Sequence, residues 1–409
     1  MTDYVVNQRV AARSRARPRE ASFLRNLDWA LLLAVAGLVA YGLWAIAGIT
    51  KNDVEGDANY YVVRQAGFAL IGAVGMVGMT LLEPGFWRKH ARIVYGATIA
   101  VLVLTPLLGT SVRNTRRWID LGPFRFQPSE FGKLLLVLFL AAFLADKGKA
   151  IYERRTTMTA VGLAGLPIVL VFLQPDFGTA IVYAAILGAT LFVAGTRWSQ
   201  VSALLVLGAF AATFVLWLGP AIGVDILKPY QRERITGFTN PSKDPSGSTY
   251  NITQAQIAVG AGGVDGRGPN GATQTNYNYL PEHATDFAFA SLGEQRGFLG
   301  ATILLLLYLL VIWRAIKVIT LARDAFAAIA AGGIAVALLV QIFINVGMTI
   351  GMAPITGIPL PFVSVGGSSM VANLCAIGVL QSICVRRRYV LGLSNTVLLS
   401  REGSVRSGS

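Results

Sequence analysis

Residues 280–313 read LPEHATDFAFASLGEQRGFLGATILLLLYLLVIW, a polar loop running directly into a long apolar segment. A stretch of this length and character spans a bilayer as a helix. It leaves one carboxylate, Asp286, at the mouth of that helix, where ionisable groups are costly and tend to be functional. Of the 409 residues 54% are hydrophobic and 14% charged, against roughly 25% charged in a soluble chain. Similar apolar runs recur at about 27–49, 61–82, 91–109, 128–145, 159–174, 177–195, 200–220, 285–313, 325–350 and 366–385. The expected fold class is therefore an all-α polytopic membrane protein of about ten transmembrane helices, with both termini on one side.

The side follows from the placement of positive charge. A cytoplasmic N-terminus puts six N-terminal arginines inside (Arg9, Arg13, Arg15, Arg17, Arg19 and Arg25), with Arg88, Lys89, Lys147, Lys149, Arg154, Arg155, Arg197, Arg314, Lys317, Arg323 and Arg386 to Arg388. The first outer loop is acidic instead, with Asp53, Glu55 and Asp57. The organisation expected is a basic cytoplasmic tail over 1–26 and a membrane domain over 27–388. A large extracellular loop at 221–284 lies between helices 7 and 8, and a disordered cytoplasmic tail covers 389–409. The net charge of +14 is thus a matter of membrane orientation, and no nucleic-acid partner is expected. The first apolar run reads as an uncleaved anchor. Cys375 and Cys384 stand nine residues apart on one helix, about 13 Å along its axis, too far for a disulfide. Two histidines, His90 and His283, exclude a multi-histidine metal centre.

Several outer segments carry chemistry. Arg113, Arg116, Arg117 and Arg125 break the charge rule; they either meet lipid headgroups or bind pyrophosphate bidentately. Pro128 and Glu130 suit a helix start, but Lys133, one turn deeper, needs a partner inside the span. A Glu130–Lys133 ion pair lining a polar cavity is the favoured reading, with a purely structural pair as the alternative. Asp176 is well placed as a helix N-cap. Residues 357–369 (GIPLPFVSVGGSS) describe irregular backbone at membrane depth, tolerated only where it is buried or lines a cavity. Gly260 to Gly268 (GAGGVDGRG) looks like a phosphate cradle without the ending of a P-loop, and Tyr250 to Val259 reads as an amphipathic helix lying on the membrane surface. Glu130, Lys133, Asp176, Asp286, Ser364 and the arginine segment all gather at the outer face.

These segments resemble the SEDS family of membrane peptidoglycan polymerases, which includes RodA and FtsW. The resemblance rests on RWIDLG at 117–122, QPSEFGK at 127–133, QPDFGTA at 174–180, LPE with TDF at 280–287, and PLPF with Ser364 and GGSS at 359–369. It covers about residues 25–390, and NVGMTIGMAP at 345–354 is closer to the RodA branch than to the division branch. Three positions depart from the pattern: Ala284 where a His usually precedes Thr-Asp, Val365 for Tyr, and Gln295 for a second Glu, followed by Arg296.

The resemblance implies an inverting glycosyltransferase that polymerises lipid II into β-1,4-linked glycan outside the bacterial cytoplasmic membrane, for elongation and cell shape. Asp286 is implied as general base, with Glu130 orienting Lys133. Arg117, Trp118, Asp176, Arg234, Ser364, Gly366, Gly367 and Ser368 are implied as substrate-binding residues. Undecaprenyl pyrophosphate leaves, its charge met by Lys133, Arg117, Arg234 or a divalent cation (Mg or Mn), with no protein metal cage, no nucleotide and no organic cofactor. The expected partners are lipid II and the lipid-linked glycan, membrane lipids, and a class B penicillin-binding protein acting as transpeptidase. The alternatives are a flippase for the same lipid, which would favour inverted repeats and a midplane site, or the division-specific polymerase. A pure scaffold leaves the cost of Lys133 and Asp286 unexplained.

Overall fold

Aspartate caps and prolines open five of the apolar helices. In the computed structural model, which describes residues 19–112, 115–120, 122, 124–223 and 249–406, the runs become α1 (Trp29–Ile49), α2 (Tyr60–Leu81), α3 (Pro84–Leu108), α4 (Pro128–Ala145), α5 (Arg154–Leu173), α6 (Phe177–Val193) and α7 (Trp198–Thr213). After a loop helix α8 (Tyr250–Ala261) come α9 (Ala288–Leu321), α10 (Ala325–Thr349) and α11 (Gly367–Arg406). Asp28, Asp176 and Asp324 accept from the backbone N–H three residues on and so cap α1, α6 and α10. Pro84 and Pro128 open α3 and α4, where a missing N–H costs nothing.

The chain is an all-α polytopic membrane protein. Among the described residues, eight helices are long and apolar enough to cross a membrane, while α6 and α7 are shorter apolar helices. The seventh run is interrupted: α7 gives way to a π-helical turn at Phe214–Leu218 and a short turn at Gly219–Ala221. The last helix continues to Arg406, past the boundary at 388 where the sequence reading starts a tail. Inside the bundle lie α4, α10 and the first half of α11, most of whose residues are buried. Alpha-helix α2 lies along α11, α1 and α10 flank α9, and α6 packs on α4 and α10. No disulfide joins Cys375 and Cys384.

Contacts sort the connections into two ends. At one end Asp28 pairs with Arg314 and exchanges two hydrogen bonds with Gln381, and Arg88 meets Asp146. At the other, here the loop end, His283 reaches Asp53, Lys51 reaches Asn270 and Gln127 reaches Ser368. Residues 110–126 add a three-stranded antiparallel sheet there, β1 (Thr110–Val112), β2 (Thr115–Asp120) and β3 (Arg125–Phe126), with Trp118 opposite Thr110 and Asp120 opposite Arg125.

Two expectations for the large loop are corrected. Helix α8 does not present an apolar face to lipid; it buries Ile252, Ala255 and Ala258 with Leu280, Phe287, Ala290 and Met348 in a second core. The glycine-rich segment is no phosphate cradle either. Helix α9 breaks at Gly297 (φ 62°, ψ −163°), and the loop supplies the hydrogen bonds that the break frees. Phe298 N–H donates to Gly263 O, Leu299 N–H to Val264 O, and Arg267 N–H to Glu294 O. A β-carbon on Gly297 would overlap Val264 O and Gly266 N. The glycines permit close docking of two backbones, a demand that a linear motif does not distinguish from phosphate binding.

Candidate active site

Helix α4 brings Glu130 and Lys133 to one face, as their three-residue spacing requires. Both are buried, at 2% and 5% exposure. Lys133 Nζ donates to Glu130 Oε2 at 2.8 Å and to Gln341 Oε1 at 2.6 Å. The ion pair expected from the sequence is present, and Gln341 of α10 completes it. Beside the pair, a cavity of about 20 Å³ reaches Asn373 of α11, enough for about one water molecule.

Asp286 lies in the turn just before α9 and is partly exposed. Its backbone is held from two sides. Asn345 Nδ2 donates to Asp286 O and to Ile358 O, both at 2.8 Å. Ser364 Oγ donates to the neighbouring Thr285 O, while Leu360 N–H donates to Ser364 Oγ; Val365 N–H donates to Ala284 O. The carboxylate faces the connection before α11, where a β-carbon on Gly357 would come 3.4 Å from Asp286 Oδ2; Gly357 itself has φ +71°. Glu282 and Phe362, in the two segments that meet here, adopt φ of 58° and 66°. Left-handed backbone at non-glycine residues persists only where its surroundings over-determine it, and it clusters at functional sites.

A third group stands on Asp176. Its Oδ2 accepts from Gln127 Nε2 and Ser129 Oγ, both at 3.1 Å. Its Oδ1 accepts from Thr179 N–H and lies 3.7 Å from Arg117. Asp176 is 2% exposed, so its carboxylate caps α6 and anchors Arg117. The Arg117 guanidinium also lies 4.8 Å from the ring centre of Trp118, a cation–π contact. Arg125 is paired loosely with Asp120. Arg113 and Arg234 lie outside the described residues.

The hydroxyls at 364–369 serve the scaffold. Ser368 Oγ accepts from Gln127 N–H and donates to Arg125 O. Gly367 packs against Phe68 and Phe124. Gly366 N–H donates to Gln65 Oε1, and Gln65 Nε2 donates to Ser364 O. Gln65 and Gln341 were not singled out from the sequence, and Asn345 only as part of a branch motif. Each is a lone amide within an apolar run, and a buried amide must find partners; that cost was the available signal. His283, displaced by one position, pairs with Asp53 at 3.0 Å and tethers the first loop to the segment carrying Asp286. Among the described residues, no three His, Cys, Asp or Glu side chains converge as cation ligands.

A family model described as "Cell cycle protein", covering FtsW, RodA and SpoVE, matches residues 25–389. The chain belongs to the FtsW/RodA/SpoVE family. Family relatives include stage V sporulation protein E of Bacillus subtilis, 37% identical over 88% of this chain and 95% of that protein. The peptidoglycan glycosyltransferase MrdB of Escherichia coli is 34% identical, covering 89% of this chain and 95% of its own length. A probable peptidoglycan glycosyltransferase FtsW of Thioalkalivibrio sulfidiphilus is also 34% identical, covering 91% and 93%. Such even similarity does not separate the elongation branch from the division branch. Among solved family structures, a chain from a peptidoglycan synthase complex that coordinates polymerization and crosslinking superposes with TM-score 0.75 at 28% identity, covering 88% of this chain and 98% of that one. The rod shape determining protein RodA of Thermus thermophilus gives 0.66 at 25% identity, covering 88% and 97%.

Proposed function

We propose that this FtsW/RodA/SpoVE family member is a peptidoglycan glycosyltransferase that polymerises lipid II at the outer face of the bacterial cytoplasmic membrane. The observation that carries the reading is Asp286: a partly exposed carboxylate on a doubly pinned backbone at the loop end, in a family with relatives named for this activity. The positive charge at the opposite connections supports an outward position for that end. The acceptor's GlcNAc 4-hydroxyl is a poor nucleophile and needs a base as it attacks C1 of the donor MurNAc. Asp286 takes that proton, the C1–oxygen bond to undecaprenyl pyrophosphate breaks, and inversion gives the β-1,4 link. Arg117, fixed by Asp176 and Trp118, meets pyrophosphate oxygens, while the Lys133 ammonium supports the charge from within the bundle. A divalent cation carried on the substrate phosphates would add positive charge against the leaving pyrophosphate and would need only one or two protein carboxylates.

The stretch Asn345 to Pro354 favours a role in elongation and cell shape, with a class B penicillin-binding protein as crosslinking partner. Similarity to a chain from a synthase complex supports such a partner. The test is purified chain, together with its transpeptidase, given labelled lipid II and resolved by product size. Wild type yields glycan strands, whereas Asp286→Asn yields none yet still folds and binds lipid II. Strands of normal length from Asp286→Asn would overturn the base assignment. Movement of lipid between leaflets without polymer would favour a flippase instead.

A further inference from the structure

Away from Asp286, the break in α9 leaves two neighbouring side chains poorly satisfied. Gln295 is 1% exposed, and neither its amide nitrogen nor its amide oxygen has a hydrogen-bond partner. The Nε of Arg296 is buried and equally without one. Buried polar atoms are nearly always paired, so an adjacent set of three points to a missing polar group. Both side chains face α1. The Arg296 guanidinium carbon lies 3.6 Å from the ring centre of Trp44, and the Gln295 amide packs against Gly48, one helical turn further along the same face.

The position is a membrane interface. Trp44 stands five residues before the end of α1 at Ile49, about 8 Å along the axis, and is 49% exposed. Phe298 and Leu299 beside the break are also exposed. Tryptophan at this depth marks the headgroup level. Among the described residues Arg296 has no carboxylate partner. An arginine that merely snorkels keeps its head in water; here Nε is sealed and the guanidinium plane lies over an indole, which leaves its outer edge as a fork suited to phosphate oxygens.

We propose that Trp44 and Arg296, with the buried Gln295 beside them, form a site for a lipid phosphate headgroup where α1 meets the α9 break. The phosphate oxygens accept from the outer edge of the Arg296 guanidinium, while Trp44 supports the guanidinium and the lipid tail runs over the apolar surface of α9. The phosphate is that of an anionic phospholipid or of a polyprenyl phosphate. The site is separate from Asp286 and does not depend on the catalytic reading.

Native mass spectrometry of the detergent-purified full chain, titrated separately with phosphatidylglycerol, phosphatidylcholine and undecaprenyl phosphate, tests this. Wild type is expected to retain one phosphate lipid that Arg296→Gln binds at least fivefold more weakly. Preference for phosphatidylglycerol assigns the site to phospholipid, and preference for undecaprenyl phosphate assigns it to the polyprenyl carrier. Trp44→Leu, which keeps the charge and loses the planar support, weakens binding to a lesser degree and decides the matter where Arg296→Gln fails to fold. Equal retention of every lipid by wild type and both variants would overturn the proposal.

Discussion

Asn345 holds the backbone carbonyl of Asp286, while Gln341, one turn away on α10, holds Lys133. One helix face therefore sets the position of the proposed base relative to the buried ammonium. Asn345→Ala strips a donor from two carbonyls, Asp286 O and Ile358 O, at about 1–3 kcal/mol for each buried group left unpaired. Polymerisation is expected to fall about tenfold or more, with lipid II binding retained. Steady-state kinetics would show it as lost kcat; a change confined to KM would contradict it.

The Glu130–Lys133 pair is a second lever. Glu130→Gln leaves a buried ammonium facing only amides, a change expected to cost about 3–5 kcal/mol of stability. Replacing both residues by apolar ones of similar volume, Glu130→Leu with Lys133→Met, removes that uncompensated charge and should recover much of the loss in thermal unfolding. Activity should stay absent from the double variant. A double variant that polymerises normally would show the pair to be structural alone.

Asp176 joins two roles that substitution can separate. Asp176→Ala removes the α6 cap, worth about 1 kcal/mol, and releases Arg117. Asp176→Asn keeps a capping oxygen but loses the charge. A lowered melting temperature is expected mainly for the alanine variant, and a raised KM for lipid II for both. An unchanged KM in both would remove Arg117 from substrate binding.

Gly297 is the hinge on which the large loop docks. Its φ and ψ lie in a region open essentially to glycine. Gly297→Ala is therefore expected to cost at least about 1–3 kcal/mol in backbone strain and to push residues 262–267 off α9. Limited proteolysis should then cut within that segment, while wild type is expected to resist cleavage there. Unaltered protection would refute the docking role.

The ten apolar runs, the proline and aspartate helix starts, and the Glu130–Lys133 pair were legible because each depends on residues close in the chain. Hydropathy over about twenty residues reports a span, and an i, i+3 spacing reports a shared face. The placement of Asp286 before α9 was legible for the same reason. The sequence alone also determined the family, since its motifs recur in order along most of the chain.

Partners far apart in the chain were a different matter. Gln65 meets Gly366 across 301 positions and Lys133 meets Gln341 across 208, and no local pattern encodes which buried amide will find which donor. Glycine-rich residues 260–268 show the same limit, since close approach to phosphate and close approach to a broken helix demand the same small residues. Only the folded bundle decided between them, by placing the Gly297 break of α9 against that loop with its freed N–H groups in need of acceptors.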